Sequence, residues 1–290
     1  MSAGEDSVLR RSLRRFRRDK GSVIWAVIFC AFLLAALAAP WLAPHDPTAG
    51  SLLRRLQPPG WMEGGDWSYP LGCDSLGRDV LSRVLYGARV SISIGVVVAA
   101  LAAMVGTTMG LLAGFAGGVV DALISRVVDV LFAFPLLIFA IGLMGFMGPG
   151  IGNIVLALVC KDWVITCRLV RGQTLELRHK EYVEAAVAVG ASRFHIMARE
   201  ILPNILSPVI VVATLRMATI IMVEASLSFL GIGVQPPTPA WGTMIADGRI
   251  FMLDAWWVGS FAGTAIFILV LSVNLTSQGL RDAFDPRLGR

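Results

Sequence analysis

Charge-free apolar runs separated by short polar stretches dominate the pattern of this chain. They extend over Gly21 to Pro44 (24 residues), Val90 to Val120 (31), Val130 to Cys160 (31), Ala225 to Ala246 (22) and Ala255 to Leu280 (26). About 20 helical residues cross a bilayer core of roughly 30 Å, so runs of this length predict membrane spans. Gly148-Pro149-Gly150 splits the third run with a tight turn. The pattern predicts an all-α integral membrane protein of about six transmembrane helices, near 22–43, 90–115, 127–146, 151–170, 205–226 and 256–277. Around them lie a basic tail over 1–21, an external loop over 44–89 and a short tail over 281–290, with residues 90–280 forming a five-helix core.

Composition agrees: 56% hydrophobic against 16% charged residues argues against a soluble fold and excludes a coiled coil, disorder and a secreted disulfide scaffold. The net charge of +5 changes the picture only through its placement. Arg10, Arg11, Arg14, Arg15, Arg17, Arg18 and Lys20 precede the first span, which by the positive-inside rule sets the N-terminus in the cytoplasm. With six spans the C-terminus is cytoplasmic too, and 18 basic residues fall inside against 6 outside, with Arg216 within a span. Membrane topology thus accounts for the basic excess, and no nucleic-acid partner is expected. The first run exceeds the 7–15 residues of a signal-peptide core and further spans follow it, so it is read as a retained helix. Trp25, Trp41, Trp256 and Trp257 stand where interfacial anchors would.

Cys30, Cys73, Cys160 and Cys167 contain no C-x-x-C, and only Cys73 falls outside the spans on the external side, so no internal disulfide is expected. Ala102, Gly106, Gly110 and Gly114 put a strip of small side chains on one helix face, suited to close packing within this subunit or against a partner. No internal repeat supports a secondary transporter built from inverted halves. His45, His179 and His195 lie outside the spans and form no cluster. Neither a metal site nor a Ser-His catalytic arrangement within the membrane is expected.

The cytoplasmic loop over 171–203 is the most informative stretch. Tyr182 to Val189 predicts a helix with small Ala185 and Ala186, Gly190 a sharp turn, Ser192 the N-cap of a second short helix over Arg193 to Glu200, and Pro203 the start of the fifth span. The result is a rigid knob. Glu184-Ala185-Ala186, Gly190 and Leu202-Pro203 stand at the spacings of the EAA loop, with Glu200 in place of the usual isoleucine. In this the chain resembles the permease subunits of binding-protein-dependent ABC importers. Tyr69-Pro-Leu-Gly-Cys-Asp-Ser-Leu-Gly-Arg-Asp-Val-Leu-Ser-Arg83, Glu224-Ala-Ser-Leu-Ser-Phe-Leu-Gly-Ile-Gly233, Pro236-Pro237-Thr238-Pro239-Ala240-Trp241-Gly242 and Gly279-Leu-Arg-Asp-Ala-Phe-Asp-Pro-Arg287 extend the likeness. They narrow it to the dipeptide, oligopeptide and nickel branch, DppC/OppC-type. Ser277-Gln278 replaces a frequent Gly-Asp, and Ser260-Phe-Ala-Gly263 lacks a common proline.

The resemblance implies a type I importer permease (MetI-like) fold in the bacterial cytoplasmic membrane. It implies a DppB/OppB-type second permease, two ABC ATPases and an external substrate-binding protein as partners. Dipeptides or short oligopeptides are the implied substrates, with nickel, glutathione and haem as alternatives in the same class. The coupling residues it implies are Glu184, Ala185, Ala186, Gly190, Leu202 and Pro203. The chain has no G-x-x-x-x-G-K-[ST] and no Gly-Lys pair, so it is not expected to be an enzyme or to hold a cofactor, and ATP-Mg belongs to the partners. Charges inside spans are costly and mark candidate functional positions. Here they are Lys161 and Asp162 in the fourth span, which as helix neighbours are poorly placed to pair with each other, and Arg216 and Glu224 in the fifth. They are candidates for bordering a wet translocation route, the alternative being structural pairing between helices. Asp129 precedes Phe132-Ala133-Phe134-Pro135, where Pro135 predicts a kink. An ATP-independent secondary transporter, coupling ions through these charges, is the rival class.

Overall fold

The computed structural model describes residues 16–17 and 19–284. Arg10, Arg11, Arg14, Arg15, Arg18, Arg287 and Arg290, with the end of the last motif, lie outside the described residues. The fold is helical, and apart from two isolated bridges, Gly50 with Arg78 and Cys73 with Asp79, no extended pairing occurs among the described residues. The main elements are α1 Lys20–Leu37, α2 Val80–Ala116, α3 Gly118–Ala133, α4 Leu136–Met147, α5 Ile151–Leu177, α6 Glu181–Ala188, α7 Leu202–Phe229, α8 Trp241–Gly248 and α9 Trp257–Phe284.

Four helices are long and apolar enough to cross a membrane: α1, α2, the continuous Arg193–Phe229 and α9. A fifth arises if α3 and α4 are taken as one bent span. Two of the six expected spans are therefore revised. The helix expected over 127–146 is broken between Ala133 and Leu136, and its two arms meet at 93°. Pro135 disfavours helical geometry in the residue before it, and Phe134 is extended at φ −89° and ψ 133°. The sequence anticipated a kink at Pro135 but not a change of direction this large. The helix over 151–170 is present as α5 and continues to Leu177, but Lys161, Asp162, Arg168 and Arg171 leave it short of the apolarity of a lipid-facing span. It packs against α2, α3, α4 and α7.

The second helix also begins earlier than the apolar run, at Val80. Asp79 caps it by accepting from the Leu81 (3.3 Å) and Ser82 (3.0 Å) amides, which satisfies backbone donors that the first turn leaves free. The strip of small residues on α2 faces α5 of the same chain. A methyl group added at Gly106 would lie 2.5 Å from the Trp163 carbonyl oxygen, at Gly110 2.7 Å from that of Cys167, and at Gly114 2.6 Å from Thr174 Cβ. Between the two readings of the strip, packing within the subunit is the one realised.

The central core joins α1, α2, α7, α8 and α9 through Ile220, Ile221, Leu227, Leu269, Val273 and Trp241. Trp241 is fully buried and its indole N–H donates to the Val84 carbonyl at 2.9 Å. Trp257, expected as an interfacial anchor, is also buried and donates to the Cys73 carbonyl at 3.1 Å, pinning residues 43–79 onto the start of α9. Trp41 and Trp256 remain exposed. Cys73 is fully buried, and burial, reinforced by the nearby Asp79 and Asp74 carboxylates, pushes its thiol up to about 12, so it is inert at neutral pH.

Candidate functional site

At one end of the molecule the chain between α5 and α7 forms the expected knob. Inside it Val183 packs with Ile196, Ile201, Ile205 and Val209 against Leu111 of α2 and Val170 of α5. Burial of these side chains fixes the knob to the ends of the long helices. The helix α6 closes with Gly190 at φ +81°, the Gly190 amide donating to Val187 O (3.0 Å) and the Ala191 amide to Ala186 O (3.0 Å). This pair of bonds is a Schellman closure, and it needs a residue that takes positive φ cheaply.

Ser192 then caps the next turn, its hydroxyl accepting from the His195 amide at 3.2 Å. The second short helix does not end at Glu200 as expected. Arg193–His195 runs through a wider π-type turn over Ile196–Ile201 into α7, so one side of the knob is continuous with a membrane helix. In that turn the Leu202 amide reaches back to Met197 O, and Pro203 follows directly after it, within the first residues of α7. The Asn204 side chain donates to the Glu200 carbonyl at 2.6 Å.

Glu184, Ala185, Gly190 and Pro203 are exposed, while Ala186 and Leu202 are half-buried. Around them the knob presents Tyr182, Val187, Val189 (84% exposed) and Phe194 (77% exposed). Sequence reasoning named the first group and missed the second. Apolar side chains concentrated in a polar connecting loop were the available signal, since solvent alone would not favour them there.

Within the membrane helices, Asp162 is 2% exposed and pairs with Arg216 of α7, whose Nε donates to Oδ1 at 3.0 Å and whose Nη2 reaches the same oxygen. Arg168 of α5 donates to Asp129 of α3 at 2.7 Å. Arg171 grips Asp121 with two bonds of 2.5 and 2.7 Å. A cavity of about 400 Å³ opens between α3 and α5, lined by Ser125, Val128, Asp129, Cys167, Arg168 and Arg171 among others. Lys161, 8% exposed, has its ammonium 5.4 Å from the centre of the Phe132 ring, with Arg168 stacked on that ring at 4.1 Å. The structure does not bring Arg216 and Glu224 together. Glu224 is wholly buried between α2 and α7, where it accepts from Ser91 (2.8 Å) and Ser228 (2.9 Å), and Ser228 in turn accepts from the Val234 amide (3.1 Å).

Residues 106–290, which contain the knob and these charges, match the family model for the binding-protein-dependent transport system inner membrane component. The chain belongs to this family. Residues 7–59 of the permease match the N-terminal TM domain of oligopeptide transport permease C. The permease is 40% identical over 282 residues to the di/tripeptide transport system permease protein DppC of Pseudomonas aeruginosa, covering 97% of this chain and 93% of that one. It is 45% identical over 273 residues to the dipeptide transport system permease protein DppC of Escherichia coli K12, covering 94% and 91%. A chain of the MetNI methionine ABC transporter, solved in inward-facing conformations, superposes with a TM-score of 0.55 at 18% identity, covering 70% of this permease and 96% of that chain. That likeness establishes the MetI-like fold, in a multi-pass component of the inner membrane.

Proposed function

We propose that this permease is a transmembrane subunit of an ATP-driven importer that carries dipeptides or short oligopeptides into the cytoplasm. The observation that carries the reading is identity of 40% and 45%, over nearly the whole chain, to permeases named for di/tripeptide and dipeptide transport. A second permease completes the route, an external binding protein delivers the substrate, and two ATPases hold ATP-Mg and hydrolyse it. Both termini and the knob face the cytoplasm in this arrangement.

Coupling is mechanical. Closure of the ATPases presses on the knob at Glu184, Ala185, Ala186 and Gly190, with Tyr182, Val187, Val189 and Phe194 supplying the apolar contact. Because the Phe194 side of the knob continues through the wide turn and past Leu202-Pro203 into α7, a push there rotates that helix as a lever. The buried cluster around Val183 makes the lever stiff. Lys161 and the Asp162–Arg216 pair border the route, and Glu224 braces α7 against α2.

Reconstitution in liposomes with the second permease, the ATPases and the binding protein tests the proposal. ATP hydrolysis is expected to rise several-fold only when binding protein and a dipeptide mixture are both present. Stimulation by nickel, glutathione or haem in place of peptide would keep the importer and replace its substrate. Absence of coupling in every combination would remove the importer reading.

A further inference from the structure

Along the face that α5 shares with α3 and α7, four cations meet three carboxylates. Arg168 takes Asp129, Arg171 takes Asp121 and Arg216 takes Asp162, which leaves Lys161 with no ion pair and no hydrogen-bond acceptor among the described residues. An ammonium on a largely buried stem with no paired anion is unfavourable, and a single aromatic face offsets only part of that cost. Lys161 lies ten residues from the start of α5 and sixteen from its end. At 1.5 Å per residue these are roughly 15 and 24 Å. Phe132, half-exposed beside it, stands three residues before Pro135, at the break between α3 and α4. Lys161 and Phe132 therefore meet where the helix wall has its least regular backbone.

We infer that Lys161 binds the carboxylate of the transported peptide during its passage, with Phe132 as the wall of that subsite. The inference rests on the peptide-importer reading above. The type of cation supports a transient partner. All three ion pairs on this face use arginine, whose planar fork suits carboxylate pairing, whereas lysine offers a mobile point charge with three rotatable donors. A carboxylate from the second permease is the competing occupant, and it would act as a fourth fixed pair.

The test uses the full reconstituted importer with dialanine, and records both uptake and the ATP hydrolysis stimulated by loaded binding protein. Lys161→Met keeps the length of the stem and removes the charge. Hydrolysis is expected to stay within about twofold of the unmodified complex while peptide imported per ATP falls at least tenfold, in keeping with loss of a charge-assisted contact. Lys161→Arg is expected to restore most of that yield. Hydrolysis and uptake falling together, or failure to recover the complex with Lys161→Met, would assign Lys161 to a fixed pair with the second permease and overturn the inference. Unchanged yield in Lys161→Met would overturn it as well. An unmodified complex that hydrolyses ATP with binding protein but imports no peptide would instead remove the reading beneath it.

Discussion

Replacing Gly190 by valine is expected to abolish uptake while leaving the permease in the membrane at close to its normal level. Gly190 sits at φ +81° with open space around the position of a Cβ, so the substitution meets no neighbouring atom. The cost is confined to the backbone. Left-handed geometry costs an ordinary residue roughly 1–2 kcal/mol, and a β-branched one more. Relief comes from abandoning positive φ, which breaks the Schellman bonds from Gly190 and Ala191 and turns the chain in a new direction. Phe194 and the Glu184-Ala185 helix are then no longer held in the relative orientation on which the proposed coupling depends. Nothing in the central core touches this turn, so folding and insertion survive. Immunoblotting of membranes alongside uptake of labelled dipeptide checks both halves, with a level within about twofold and uptake at background as the expected outcome. Normal uptake by Gly190→Val would mean that the shape of the knob does not transmit force.

The second large effect is on stability. Arg216→Met leaves Asp162 buried without the one cation that forms an ion pair with it among the described residues, and removing one member of a buried pair costs about 3–5 kcal/mol. A lower melting temperature of the purified permease in detergent is expected, together with poor recovery of the complex. Adding Asp162→Asn removes the stranded charge and is expected to regain more than half of the loss. Equal melting temperatures for Arg216→Met and the unmodified chain would show that Asp162 finds another partner, and the pairing scheme that singles out Lys161 would have to be redrawn.

The knob was legible in the sequence because its determinants are local. A helix with two alanines, a glycine at its C-terminal closure, a serine cap and a proline all act within a few residues of one another, and their spacing is preserved in the chain itself. The fate of Asp162 was not legible, since its partner Arg216 lies 54 positions away and only packing of α5 against α7 brings them together. Hydropathy also misread the third span. An apolar run reports how many residues prefer lipid or core, but not whether Pro135 leaves two helical arms collinear or at 93°. The strip Gly106, Gly110 and Gly114 predicted close helix contact correctly, yet the same pattern serves a partner subunit equally well, and only the proximity of the Trp163 and Cys167 carbonyls decides for α5. Trp257 was placed at the interface by residue type, whereas its indole N–H is spent inside the protein.

The measurement that bears most directly on the central claim is site-specific photocrosslinking from the knob in intact membranes containing the whole importer. Benzoylphenylalanine placed at position 194, where Phe194 is largely exposed, is expected to form a covalent adduct with a P-loop ATPase, and position 253, at highly exposed Leu253, none. An ATPase adduct from 194 whose yield changes when ATP is added would identify the knob as the surface on which hydrolysis acts. An ATPase adduct from 253 and none from 194 would contradict the proposed coupling and place the ATPases on a different face of the permease.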